Sequence, residues 1–148
     1  MKQIASCLLG EEIHPLWLTE FYGESEWEIT QKALLEAQTH KTIAYLDPFG
    51  NLAMQSQKPD LILKPDSLEQ AIAMSIEMLQ TKIIDLLIID SLFLLDSEKM
   101  GFEESLLKLV KAAEKNEKPV FLLNLDNPIR RLLEKTLNSF FSSRICVG

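Results

Sequence analysis

The chain has 148 residues, of which 47% are hydrophobic and 25% charged, as expected for one globular domain with its own core. Its net charge of −7 argues against strong DNA binding, because phosphate backbones attract positive surfaces. No apolar run is long enough to span a membrane, and residues 1–10 lack the core of a secretory signal, so we expect a cytoplasmic protein.

Apolar periodicity predicts strands that alternate with helices along the chain. In the first half we predict a strand at 17–22, a helix at 25–39, a strand at 42–46, an irregular stretch at 49–60, a strand at 61–63 and a helix at 67–80. In the second half we predict a strand at 85–90, a loop at 91–101, a helix at 103–116, a strand at 119–123, a helix that begins at Asn127 and a strand at 144–147.

Three of the predicted helices have a capping signal. Ser25 and Glu28 form a capping box, Ser67 and Gln70 repeat it, and Asn127 precedes a proline at the first helical position. The helix at 103–116 is predicted to bury the residues Leu106, Leu107, Val110 and Ala113.

The strand at 85–90 is apolar without alternation, which indicates that both of its faces are covered. Alternating strands and helices then predict a three-layer α/β fold, with a mostly parallel central sheet and helices on both faces. One domain, 1–148, accounts for the whole pattern.

Two acidic residues stand at the carboxyl ends of predicted strands, Asp47 and Asp90, and ligands of open α/β sheets bind at that edge. The apolar strand that ends in Asp90 and Ser91 has the form of a Walker B motif, whose aspartate helps to hold Mg²⁺. Many buried strands also end in aspartate for structural reasons alone.

Six segments, in the same order and at compatible spacing, resemble the ATPase core of RecA-type recombinases. They are 19–23, 43–47, 67–71, 84–92, 120–124 and 140–145. The resemblance spans about 4–148 and implies a RecA-like P-loop NTPase fold. It further implies that the 119–123 strand lies between the 17–22 strand and the 85–90 strand.

The phosphate loop of that family, G-x-x-x-x-G-K-[ST], is degenerate here. The residues at its position are Gly23, Glu24, Ser25, Glu26, Trp27 and Glu28. The second glycine and the lysine are absent, and the glutamates oppose a triphosphate but suit a helix N-terminus. Phe49 stands where the family has its catalytic glutamate, and Leu125 where it has its sensor glutamine.

These departures predict a RecA-like pseudo-ATPase with no catalytic residue and no cofactor, comparable with RecA paralogues and SulA-like proteins. We expect a protein-interaction or regulatory module linked to DNA recombination or repair. Its partner would be a recombinase, a repair complex or a cell-division component, and direct DNA binding would be weak or absent.

In such a protein, Asp47 and Asp90 would accept hydrogen bonds from backbone amides at strand ends. No metal is expected, since two cysteines and two histidines do not supply an ordinary zinc site.

The alternative is a small-ligand- or nucleotide-binding α/β domain that uses the strand ends around Asp47, Asp90 and Asn124. Several other residues have two open interpretations. Trp27 either fills the vacated nucleotide site or packs in the core. The basic residues Arg130, Arg131 and Lys135, with Arg144 nearby, form either a reduced DNA or partner contact or an ordinary solvated helix face. Met100 and Phe102 are further candidates for partner contact.

Overall fold

The computed structural model describes residues 17–90, 102–132, 134 and 141–148. The strands in these ranges are β1 (Leu18–Gly23), β2 (Ile43–Leu46), β3 (Leu61–Leu63), β4 (Leu86–Asp90), β5 (Val120–Leu125) and β6 (Ser143–Val147). The helices are α1 (Glu26–Ala37), α2 (Leu68–Gln80), α3 (Phe102–Asn116) and α4 (Pro128–Leu132), with a 3₁₀ turn at Asn51–Met54. The predicted loop at 91–101 lies outside the described residues.

The strands form one sheet in the order β3-β2-β4-β5-β1-β6, and every neighbouring pair is parallel. β5 therefore lies between β1 and β4, as predicted. Because parallel strands need crossover connections, the helices between them cover the faces of the sheet.

β4 shows that the sheet is covered on both sides. Leu87 and Ile89 point into a core that α2 and α3 complete, whereas Leu86 and Ile88 point into a second core beneath α1. All four side chains are fully buried, which confirms the prediction made from the absence of alternation. The three-layer α/β architecture is thus present.

The predicted capping residues begin their helices. Ser25 Oγ accepts from the Glu28 amide at 3.3 Å, and Ser67 Oγ accepts from the Gln70 amide at 3.1 Å. Asn127 Oδ1 accepts from the amide of Arg130 at 2.8 Å. An N-cap bond of this kind contributes about 1 kcal/mol, so these short signals fix where each helix starts.

The buried face of α3 differs by one position from the prediction. Leu109 is fully buried with Leu106 and Ala113, while Leu107 is 44% exposed. Positions 106, 109 and 113 follow the i, i+3, i+7 spacing of one helix face, and position 107 is turned about 100° away from it. No helix in the described ranges combines the length and hydropathy needed to cross a bilayer.

Candidate functional site

The β1–α1 turn lies at the carboxyl edge of the sheet, where open α/β folds bind ligands. Only Glu24 and Ser25 separate the last residue of β1 from the first residue of α1. Ser25 Oγ already caps the Glu28 amide, and the Ser25 carbonyl accepts from the Ile29 amide at 3.0 Å. The turn is therefore a closed helix cap.

Gly23 makes this tight turn possible through packing. A Cβ atom placed on Gly23 would lie 2.4 Å from the carbonyl oxygen of Val147 in the neighbouring strand β6. Real Cβ atoms do not approach a backbone oxygen so closely, and Gly23 has no positive φ angle. Glycine is needed here because the backbones of β1 and β6 approach each other closely.

An acidic cavity of about 540 Å³ opens beside the turn. Its lining comes from Gly23, Glu24, Ser25, Glu28, Asp126, Cys146, Val147 and Gly148. No lysine or arginine of the described residues belongs to that lining, and Glu24, Glu26 and Glu28 are all exposed. The electrostatic potential here favours cations and disfavours phosphates.

The second strand-end site is built on Asp90. Its Oδ2 accepts from the Tyr45 hydroxyl at 2.9 Å and from Asn51 Nδ2 at 2.9 Å, and the carboxylate is 3% exposed. Burial, followed by the negative charge of Asp90, raises the pKa of Tyr45 well above its ordinary value of 10.0. Tyr45 therefore stays a neutral donor that binds the Asp90 carboxylate.

Asp47 accepts from backbone amides, as the sequence predicts for a strand-end acid. Its two carboxylate oxygens accept from the amides of Asn51 at 2.8 Å and Leu52 at 3.1 Å. These bonds hold the 3₁₀ turn that brings Asn51 to Asp90. The sequence analysis did not predict the side-chain donors Tyr45 and Asn51 of Asp90, because they come from another strand and from the 3₁₀ turn.

We predict that Tyr45→Phe lowers the free energy of unfolding by about 1–2 kcal/mol at pH 7, because Asp90 loses a buried donor. The contribution of Tyr45 to the free energy of unfolding is complete below pH 10 and declines above it. The reason is that the phenol loses its proton near pH 10 in the unfolded chain, whereas the raised pKa keeps it protonated in the folded protein. Urea unfolding at pH 7 and above pH 10 measures the free energy of unfolding of the unaltered chain and of Tyr45→Phe. The difference between the two free energies should be smaller above pH 10 than at pH 7. A difference that is equal at both pH values would contradict the bond.

A buried ionic network, which the sequence analysis missed, lies between β1, β5, β6 and α4. The side chain of Glu20 is fully buried, and its oxygens accept from Arg130 Nε at 2.9 Å, Arg130 Nη2 at 2.7 Å and Arg144 Nε at 3.0 Å. Asn124 Nδ2 donates at 2.7 Å to the same carboxylate. The guanidinium of Arg130 also stacks 3.8 Å from the centre of the Tyr22 ring. A glutamate in the middle of an apolar strand was the available signal, since a buried charge requires partners.

Two further nitrogens of the network's arginines are also paired. Arg130 Nη1 lies 3.2 Å from Asp126, and Arg144 Nη2 lies 3.2 Å from Glu134. Burial lowers the pKa of Arg130, but the hydrogen bonds and charge of Glu20 outweigh it and hold the pKa above its ordinary value. Asn124 Oδ1 has no hydrogen-bond partner among the described residues, because its amide nitrogen must face the acceptor Glu20.

No protein-family model and no curated protein matches this chain. Among solved structures, 90% of the chain matches the cytoplasmic domain of the Thermomonospora curvata Type VII Secretion ATPase EccC, with a TM-score of 0.53 and 9% sequence identity. The chain therefore shares the parallel α/β fold of this ATPase domain, which is consistent with a P-loop NTPase-like fold. The match covers 19% of the EccC chain, so this chain spans about a fifth of its length. The finer resemblance to RecA-type recombinases stays a prediction.

In a P-loop NTPase-like fold the first strand and helix are joined by the phosphate loop, and here that place holds the capped turn of Glu24 and Ser25. Trp27 contradicts the prediction that it packs in the core, and the prediction that it fills a vacated nucleotide site stays a prediction. Trp27 is 48% exposed on α1, so it is no core residue, and it does not line the acidic cavity at the turn. As the second residue of α1, it points outward because Ile29, Ala33 and Leu34 occupy the inward face.

The predicted basic contact surface is wrong at Arg130. Arg130 is 1% exposed and paired with Glu20, so it is neither a DNA contact nor a solvated residue. The side chain of Arg131 is 57% exposed and lies 3.4 Å from Asp126. Lys135, Met100 and Ser91 lie outside the described residues, as does the side chain of Phe102.

The two positions expected to have lost catalytic groups lie at or just after the ends of different strands. Phe49 follows β2 and is 49% exposed, whereas Leu125 is half-buried at the end of β5. In the part of the chain that the structure describes, no group of three or more histidine, cysteine or acidic side chains could hold a metal ion.

Proposed function

We propose that this chain is a non-catalytic protein with a P-loop NTPase-like fold, which acts as a protein-interaction or regulatory module. The observation that carries the proposal is the acidic, capped turn between β1 and α1. Two independent features support it: the turn is acidic and has no lysine, and the Walker-B-like aspartate is engaged by neighbouring side chains.

The turn lacks the positive charge of a phosphate loop, and one of its amides is already capped by a side chain. A phosphate loop presents backbone amides and a lysine to the triphosphate, whereas here the sequence of the turn has no lysine and the Glu28 amide is bound by Ser25 Oγ. A carboxylate about 4 Å from a phosphate charge costs about 4 kcal/mol at an effective dielectric constant of 20. Glu24 and Glu28, which line the cavity, would both oppose the ligand.

The Walker-B-like position is occupied from within the protein. Asp90 binds Tyr45 and Asn51, so a Mg²⁺ ion would have to displace two hydrogen bonds, of which the Tyr45 bond is buried, to reach Oδ2. The strand-end acids then act as structural acceptors that hold β2, β4 and the 3₁₀ turn together. This arrangement supports an interaction role over catalysis.

The setting we propose is DNA recombination or repair, with a recombinase, a repair complex or a cell-division component as the partner. The support is the resemblance of six ordered segments to RecA-type recombinases. Direct DNA binding is no part of the proposal, since Arg130 is buried and the net charge is −7.

A thermal-shift titration with MgATP tests the proposal. Saturation at 100 times the dissociation constant would stabilise a binding protein by about 2.7 kcal/mol, which raises the melting temperature of a domain this size by about 5–10 °C. We expect no concentration-dependent rise for this chain, while a P-loop ATPase measured in parallel should show one. A saturable rise, or phosphate release by the purified chain, would instead support the nucleotide-binding alternative.

A further inference from the structure

A surface groove with exposed apolar side chains runs between α1 and residues 54–57. Trp27 and Leu35 of α1 are 48% and 54% exposed, and Met54 on the facing wall is 81% exposed. The groove has a volume of about 650 Å³, and we call it the α1 groove. Its apolar lining consists of Trp27, Leu34, Leu35, Met54 and Val147. Several large apolar side chains gathered in one concave surface are typical of an interaction site.

The walls of the α1 groove are held in place by hydrogen bonds. Gln55 Nε2 donates to the carbonyl oxygen of Trp27 at 3.2 Å, which ties the segment after the 3₁₀ turn to the start of α1. Lys58 Nζ donates to the carbonyl oxygen of Leu52, and Asp47 accepts from the Leu52 amide. A groove whose walls are already fixed loses little conformational entropy when a partner binds.

One end of the α1 groove is acidic. Glu28 and Val147 line both the groove and the acidic cavity at the β1–α1 turn, so the two spaces adjoin. Glu24, Glu26 and Glu28 are exposed there. Lys32, which also lines the groove, has its charge paired with Glu36 at 3.1 Å.

These features select one kind of occupant. The apolar lining suits a long aliphatic or aromatic side chain, and the acidic end suits a lysine or arginine next to it. A nucleic acid would bring its phosphates to the same glutamates and be repelled.

We infer that the α1 groove docks a segment of a partner protein that carries a large apolar anchor residue beside basic residues. The anchor lies between Trp27 and Met54, and the basic side chains reach Glu24 and Glu28. This inference rests on the proposed interaction function and adds the surface and the chemistry of the partner.

The probe is a phage-displayed library of random peptides, selected on the immobilised full chain. We expect enrichment of peptides in which an aromatic or long aliphatic residue adjoins lysine or arginine. The most enriched peptide, synthesised with a fluorescent label, is then titrated against variants in solution. An enriched set that is acidic, or that lacks basic residues, overturns the inference, as does a selection that enriches nothing.

Met54→Glu and Leu35→Glu should each weaken binding of the labelled peptide by about tenfold or more, as for a hot-spot residue. Both side chains are more than half exposed, so these variants should keep the melting temperature of the unaltered chain. The matched control is Ile83→Glu, since Ile83 is 68% exposed and does not line the groove. Equal binding by Met54→Glu and Ile83→Glu overturns the inference.

The charge of the partner is tested separately. Glu24→Lys and Glu28→Lys should weaken binding and reduce its dependence on salt, whereas the exposed Glu77→Lys on α2 should change neither. If a protein partner of the chain binds Met54→Glu and Glu28→Lys normally, the groove is wrong while the interaction function stands. Saturable MgATP binding in the thermal-shift titration would overturn the function itself.

Discussion

Glu20→Gln is expected to lower the free energy of unfolding by about 3–5 kcal/mol, because it leaves the buried guanidinium of Arg130 with only the partly exposed Asp126 as a counter-charge. Arg130 is 1% exposed and donates two hydrogen bonds to Glu20, so it cannot turn to water without unpacking α4 from β1. Arg144, with a 19% exposed side chain, can recover part of its hydration. The measurement is chemical unfolding monitored by circular dichroism.

Two further variants show whether the network acts as a unit. Glu36→Gln removes one partner of the exposed pair between Lys32 and Glu36, and it should cost less than about 0.5 kcal/mol. The double change Glu20→Leu with Arg130→Leu should be more stable than Glu20→Gln alone, since no buried charge is left unpaired at those positions. If Glu20→Gln and Glu36→Gln cost the same, the buried network has no special energetic role.

Gly23→Ala should have the second largest effect, a loss of about 3 kcal/mol, because the added methyl overlaps a backbone oxygen. The Cβ atom would lie 2.4 Å from the carbonyl oxygen of Val147, and a backbone atom in a paired strand cannot turn aside as a side chain would. Either β6 or the β1–α1 turn must then move. Amide hydrogen exchange should therefore accelerate across Ser143–Val147.

Gly50→Ala is the matched control for this steric argument. Gly50 has open space around its Cβ position but a φ of +77°, so alanine there should cost about 1 kcal/mol through backbone conformation alone. Exchange in β6 should not change in that variant. Equal acceleration of β6 exchange in both variants would show that the contact between Gly23 and Val147 is not the cause.

Local signals in the sequence were sufficient for the order of the elements and for the starting points of the three capped helices. The caps at Ser25, Ser67 and Asn127 are bonds between neighbouring residues, so the short pattern contains all the participants. The uninterrupted apolar strand β4 likewise indicated burial on both faces. The position of β5 between β1 and β4 came from the resemblance of ordered segments, since periodicity alone does not order strands.

The sequence by itself thus determined the alternation of strands and helices, the helix caps and the acidic character of the β1–α1 turn. Only the tertiary structure decided which polar side chains meet. Glu20 and Arg130 are 110 positions apart, and Tyr45 and Asp90 are 45 apart. The physical reason is that whether a side chain is buried depends on how segments distant in the sequence pack together. An arginine on a short helix is a surface residue in the sequence pattern, and it becomes an internal one when a carboxylate on a distant strand compensates its charge.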